Sequence, residues 1–229
     1  MPVAVRFLEF KIGKLLAVMA LLWASTIQSQ ENYFTTVSVK KFIMESHKWQ
    51  INIVGHWKKF HSNEGWNRFG IDLNTRRILN QWDLHGGVVS NNTIDKSEPD
   101  YWELRPWLGI GLTNTIYGPL QFKQGFRFEW RNLIFSESSN NKITTRYRYK
   151  LEPFCELKNQ WQVHTSYEWY ILPNKDLGTR FVNSGEWGLG VAKAYPKFTV
   201  SLNYIKEWYN KEFQPDASNG NTLALTVAF

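Results

Sequence analysis

Between Trp102 and Leu112 the chain changes character at every residue. Trp102, Leu104, Pro106, Leu108, Ile110 and Leu112 fall on one parity, while Glu103, Arg105, Trp107, Gly109 and Gly111 fall on the other. Successive side chains of a β-strand point to opposite faces, so a period of two predicts a strand with one apolar and one polar side. The pattern recurs. Leu120, Phe122, Phe126, Phe128 and Trp130 oppose Gln121, Lys123, Gly125, Arg127, Glu129 and Arg131. Tyr147, Tyr149 and Leu151 oppose Arg146, Arg148, Lys150 and Glu152. Trp161, Val163, Tyr167, Trp169 and Ile171 oppose Gln162, His164, Ser166, Glu168 and Tyr170. The chain ends on "TLALTVAF", where Leu223, Leu225, Val227 and Phe229 share one face.

Read in this way, strands fall near 33–43, 48–59, 67–75, 80–89, 100–113, 119–132, 143–155, 160–171, 179–192, 197–208 and 221–229. No helical period of useful length competes with them after the first thirty residues. The links alternate. "NTIYGP", "LKNQ" and "KAYPK" are short, whereas "SNNTIDKSEPD", "SESSNNK", "PNKDLGTRFVNSG" and "KEFQPDASNGN" are long and polar. Short turns at one end and long loops at the other are the pattern of an outer-membrane barrel with periplasmic turns. The expected fold is therefore all-β: an antiparallel transmembrane up-and-down β-barrel. An antiparallel closure requires an even number of strands. Parity thus favours twelve strands over the eleven segments, with ten as the alternative, and puts the discrepancy between Phe34 and Val89.

The first residues follow another rule. Arg6, Lys11 and Lys14 precede the apolar run "LLAVMALLWA", and the polar "STIQSQ" follows it. That order is a secretory signal peptide. The run is about ten residues, well short of the roughly 20 that a helix needs to span a bilayer, so cleavage is expected rather than anchoring. Residues 1–29 are assigned to the signal peptide and 30–229 to the barrel, and the expected location is the outer membrane of a Gram-negative bacterium.

Composition agrees with this division. Trp, Tyr and Phe make up 16% of the chain, yet its mean hydropathy is negative. A lipid-facing aromatic belt around a wet interior produces that mixture. The formal net charge is +7, too modest and too dispersed for nucleic acid. The single cysteine, Cys155, cannot form an internal disulfide and reads as a wall residue.

"WELRPWLGIG", then "GFRFEWRN", then "RYRYKLEP" resembles the order of signatures in the domain-of-unknown-function family 2490 of bacterial outer-membrane β-barrel proteins. The resemblance is strongest from Glu103 to Glu168. It implies a barrel in the outer membrane and no activity, so no catalytic residue is carried over from it.

Chemistry concentrates on the polar parity. With the aromatics outward, Glu103, Arg105, Lys123, Arg127, Glu129, Arg131, Arg146, Arg148, Lys150, Glu152 and Glu168 line a lumen from four consecutive strands. Opposite charges on neighbouring strands can form cross-strand pairs. Two readings follow: a salt-bridged structural or surface-binding barrel, or a narrow pore preferring small anionic solutes. A third reading is enzymatic. His164, Ser166 and Glu168 share a strand face, and a His-x-Ser pair on a barrel strand resembles that of outer-membrane phospholipase A. A serine nucleophile needs an imidazole base and an orienting group, and no oxyanion donor is identifiable here. A non-enzymatic barrel is preferred. His47, His56, His61 and His85 show no repeated ligand spacing, so no metal or cofactor is expected. The expected partners are outer-membrane lipids and the barrel insertion machinery, for which Leu223, Leu225, Val227 and Phe229 form the candidate signal.

Deleting Phe229 is expected to lower the amount of heat-modifiable, membrane-embedded protein without reducing export across the inner membrane. Fractionation and gel mobility of heated and unheated samples measure both.

Overall fold

The computed structural model describes residues 32–62, 65–136, 141–172, 184–209 and 219–229. Residues 1–29, the segment expected to be a signal peptide, lie outside that set. Asn32–Phe229 forms one compact unit of eleven strands: β1 (Asn32–Glu45), β2 (Trp49–Phe60), β3 (Asn67–Leu79), β4 (Trp82–Ile94), β5 (Tyr101–Tyr117), β6 (Leu120–Phe135), β7 (Lys142–Leu157), β8 (Trp161–Ile171), β9 (Gly185–Ala194), β10 (Thr199–Trp208) and β11 (Gly220–Ala228). Each strand pairs with the next, and β11 returns to β1, so the sheet closes on itself.

The closure corrects the strand count. No twelfth strand is present among the described residues. Phe34 to Val89 carries β1 to β3 and part of β4, as the alternation indicates. With eleven strands the first and last run the same way, so the seam is parallel, from Asn32↔Gly220 to Lys40↔Ala228. Beyond it, Phe229 N donates to Lys40 O and Phe42 N to Phe229 O, each at 2.9 Å. The last residue is therefore held within the sheet. Residues 179–183 of the ninth expected strand lie outside the described residues, and β9 begins at Gly185.

Turn chemistry fixes the narrow end. The link between β3 and β4 is Asn80–Gln81, with Asn80 at φ 57°, and that between β5 and β6 is Gly118–Pro119, with Gly118 at φ 52°. Two-residue hairpins need such left-handed residues to match strand twist. Residues 46–48, 158–160 and 195–198 complete this short-link end, where Phe229 also lies. The strand ends that lead into the five longer links, and Asn32, lie at the opposite end, because β1 runs parallel to β11.

Side-chain burial is inverted relative to a water-soluble domain. Leu108 is 70% exposed, Ile143 64% and Ile71 61%, whereas Glu103 and Glu129 are 0% exposed and Arg131 1%. Apolar side chains line the outside and charged ones the lumen. A small apolar cluster of Tyr101, Leu133 and Leu172 packs near the long-link end. Leu225 and Phe229 are exposed on the outer face, while Ala224 and Thr222 are buried, the orientation that alternation gives the last strand.

The seam can be tested directly. In a Cys155→Ser background, Thr36→Cys together with Ala224→Cys places thiols at register partners. A short bifunctional thiol reagent is expected to join them in the folded protein and shift its gel mobility. Absence of the cross-link in heat-resistant protein would remove the parallel closure.

Candidate functional site

Register brings the charged residues of β5 to β8 to one level of the lumen. Glu129 is the Cα partner of both Trp107 and Arg146, Arg127 that of Arg148, and Lys150 that of Glu168. Strands about 4.8 Å apart put such side chains within ion-pairing reach.

Glu129 is the centre. Arg146 approaches its Oε2 through Nε and Nη2, each at 2.6 Å, and Arg148 Nη1 donates to Oε1 at 3.1 Å. Arg127 Nε lies 2.9 Å from Oε1 and Arg105 Nη1 3.9 Å from Oε2. The Arg127 contact is not aligned as a hydrogen bond, for Nε has no hydrogen-bond partner. Its attraction to Glu129 is charge alone, and the guanidinium lies on the Trp107 ring, 3.8 Å from the centroid. Four arginines thus share one carboxylate.

The network extends both ways. Arg105 grips Glu103 in a fork, Nε to Oε1 at 3.0 Å and Nη2 to Oε2 at 2.6 Å, and Arg131 Nε reaches the same Oε1 at 2.5 Å. Arg148 forks onto Glu168 at 2.7 and 2.8 Å. Such bidentate pairs fix both guanidinium and carboxylate planes. The result is a girdle of five guanidinium groups, Arg105, Arg127, Arg131, Arg146 and Arg148, on three carboxylates, Glu103, Glu129 and Glu168. Lys150 and Glu152 form a separate pair at 2.5 Å. Lys123 makes no ion pair among the described residues.

Sequence reasoning limited to β5 to β8 missed the other half of the lumen. Asp83 is bound by Arg76 at 2.7 Å and His85 at 2.6 Å. His56 Nε2 lies 2.9 Å from Asn91 Oδ1, and its Nδ1 3.6 Å from Asp72. Lys58 bridges to Glu207 at 2.7 Å, and Thr222 also donates to that carboxylate. Arg68 donates to Thr93 and to the Tyr101 hydroxyl. The signal was present in the alternation of Asp83 and His85 on β4 and of His56 and Lys58 on β2. Glycine makes room for one of these groups: a Cβ on Gly109 would stand 2.2 Å from His85 Nε2 and 2.7 Å from the Phe126 carbonyl.

Two cavities flank the girdle. Toward the long-link end, about 140 Å³ is lined by Lys58, Arg68, Arg105, Arg131 and Arg146, by Glu186 and Glu207, and by Phe34, Trp66, Tyr170 and Tyr209. Toward the short-link end, about 240 Å³ is lined by His85, Lys123, Arg127, Arg148 and Lys150 with Glu152 and Glu168. Basic side chains outnumber carboxylates in each.

His164 and Ser166 face the lumen over Gly190 and Gly188 of β9. Among the described residues no hydrogen bond joins them, and the fork from Arg148 occupies Glu168. The three side chains stand in a row without forming a relay.

Residues 31–216 match a family described as "Protein of unknown function (DUF2490)". The chain belongs to that family. No curated protein matches it. Among solved structures it is similar to the NanC porin in a rhombohedral crystal form, with 13% identity and a TM-score of 0.54, over 87% of this chain and 97% of that one. At that identity the likeness concerns the fold: a porin-like barrel. A second similar structure comes from work on in-meso crystallization of membrane proteins, at 16% identity and a TM-score of 0.40 over 83% and 79% of the two chains; so low a score carries no argument.

Glu129→Gln would leave four guanidinium groups around a neutral amide. The expected cost is about 3–5 kcal/mol, read as a lower unfolding temperature or urea midpoint. Glu152→Gln, whose pair is 41% and 22% exposed, is expected to cost far less.

Proposed function

We propose that this protein is an outer-membrane β-barrel, exported through a cleaved signal peptide, whose lumen is a narrow conduit preferring small anions. The observation that carries the reading is the girdle itself. Five arginines on three carboxylates stand between two cavities whose linings are also predominantly basic. In a low-dielectric constriction that surplus attracts anions and repels cations. The membrane setting is supported by the extent of outward apolar surface, including Val37, Phe69, Leu108, Trp130 and Ile171, far more than the few hundred Å² patches of ordinary water-soluble monomers. The porin-like fold supports it as well. Outer-membrane lipids then cover the apolar wall, and the insertion machinery receives the closing strand.

The saturation of Glu129 by four arginines favours a second reading of the same girdle, as a brace that closes the lumen and leaves recognition to the long links. The same residues separate the two. Under the conduit reading, planar-bilayer recordings show anion selectivity, and Arg105→Gln with Arg127→Gln moves the reversal potential toward cations. Under the brace reading the parent does not conduct, and the double variant unfolds at lower temperature because Glu103 and Glu129 lose partners. A parent that conducts without charge preference would defeat the conduit proposal.

A further inference from the structure

On the inner face of β6, Lys123, Gly125 and Arg127 follow one another at every second residue, and all three line the cavity of about 240 Å³ on the short-link side of the girdle. A glycine thus stands between two cations. Gly125 faces open space, since a Cβ built on it would meet only the Ile110 carbonyl, at 3.6 Å. On β5, Gly109 and Gly111 are covered instead: a Cβ there would stand 2.2 Å from His85 and 2.7 Å from Asp83. The hollow therefore opens over Gly125.

The two cations beside that hollow have donors to spare. Arg127 is fixed by the Trp107 ring, 3.8 Å from its guanidinium, and by charge attraction to Glu129, yet among the described residues it donates no hydrogen bond. Lys123 is the register partner of Glu152, but Lys150 holds that carboxylate at 2.5 Å. Lys123 itself makes neither an ion pair nor a hydrogen bond among the described residues. Glu168, the other carboxylate of the lining, is forked by Arg148, and His85 is held by Asp83. Each acid around the cavity is thus engaged elsewhere, while a guanidinium and an ammonium are left facing it. A planar guanidinium presents paired N–H groups to two oxygens, and an ammonium adds a third donor as a point charge. A doubly charged tetrahedral oxyanion matches both; a carboxylate, with one charge and two oxygens, matches fewer of them.

We propose that this hollow binds a phosphate group, seated over Gly125 between Lys123 and Arg127. The proposal deepens the conduit reading and rests on its basic lumen, but binding here does not require that the lumen conduct. Trp107 presets the Arg127 guanidinium, so little ordering accompanies binding. The missing side chain at Gly125 lets the ligand approach the wall.

The test uses the full mature chain in neutral detergent at constant ionic strength, titrated with inorganic phosphate and, separately, with glycerol phosphate. Phosphorus NMR line broadening and the unfolding temperature are read. Saturable binding of either ligand supports the site, and the tighter one tells a free ion from a phosphate monoester; acetate is expected to give no comparable stabilisation. Lys123→Gln, which strips no partner from any described residue, is expected to weaken binding roughly tenfold to a hundredfold, as loss of a hydrogen bond to a charged group does. Gly125→Val keeps every charge but fills the hollow, and is expected to abolish binding. Lys41→Gln, on the outer face beside the exposed Ile53, keeps it. Unchanged binding in Lys123→Gln, or in heat-modifiable Gly125→Val, overturns the proposal. So does equal stabilisation by acetate or equal weakening in Lys41→Gln, either of which marks general attraction of anions to a basic protein. Bilayer recordings separate this site from the conduit reading: an anion-selective parent that binds no phosphate loses only the site, whereas a non-conducting parent that binds phosphate through Lys123 and Gly125 loses only the conduit.

Discussion

A carboxylate withdrawn from water needs a counter-charge, and Glu129 meets that requirement with four arginines drawn from three strands. Desolvating one acid among so many cations is tolerable only because each cation has another partner or surface. Arg105 is also held by Glu103, Arg148 by Glu168, and Arg127 by the Trp107 ring. Removing a carboxylate leaves several guanidinium groups without a counter-charge in a lumen where Glu103, Glu129 and Arg131 are fully buried, which makes the set interdependent. The girdle consequently pins the relative register of β5, β6, β7 and β8, the first three of which are the longest strands of the wall.

Closure poses a separate constraint. A parallel ladder is slightly weaker per residue than an antiparallel one, and here it joins a 14-residue strand to a 9-residue strand. What holds the seam is agreement between faces. Val37 and Val39 continue the outer surface of Leu225, while Phe34 and Thr36 continue the lumen beside Thr222 and Ala224. Slipping the register by one residue would turn all of these side chains to the wrong side. Across the lumen, Lys58 on β2 reaches Glu207 on β10, so an ion pair spans the two strands that flank the seam.

Under the function proposed above, a girdle at mid-lumen makes charge, rather than width alone, the term that decides what passes or whether anything does.

The sequence by itself determined the strands, their faces and the family. Alternation is a local property: the parity of Glu103 against Leu108, or of Thr222 against Leu225, is settled by the backbone whatever the rest of the chain does. It also identified the charged residues of β5 to β8, because adjacent hairpins leave their neighbours in no doubt. It misjudged closure, since whether β1 meets β11 parallel or antiparallel depends on two segments almost two hundred residues apart, and no local pattern records their direction. It also left unread the pairing of Lys58 with Glu207 and of Arg76 with Asp83. Those depend on stagger and curvature of the closed sheet, which set the neighbours of each side chain across the lumen or over the seam, and only the tertiary structure supplies them.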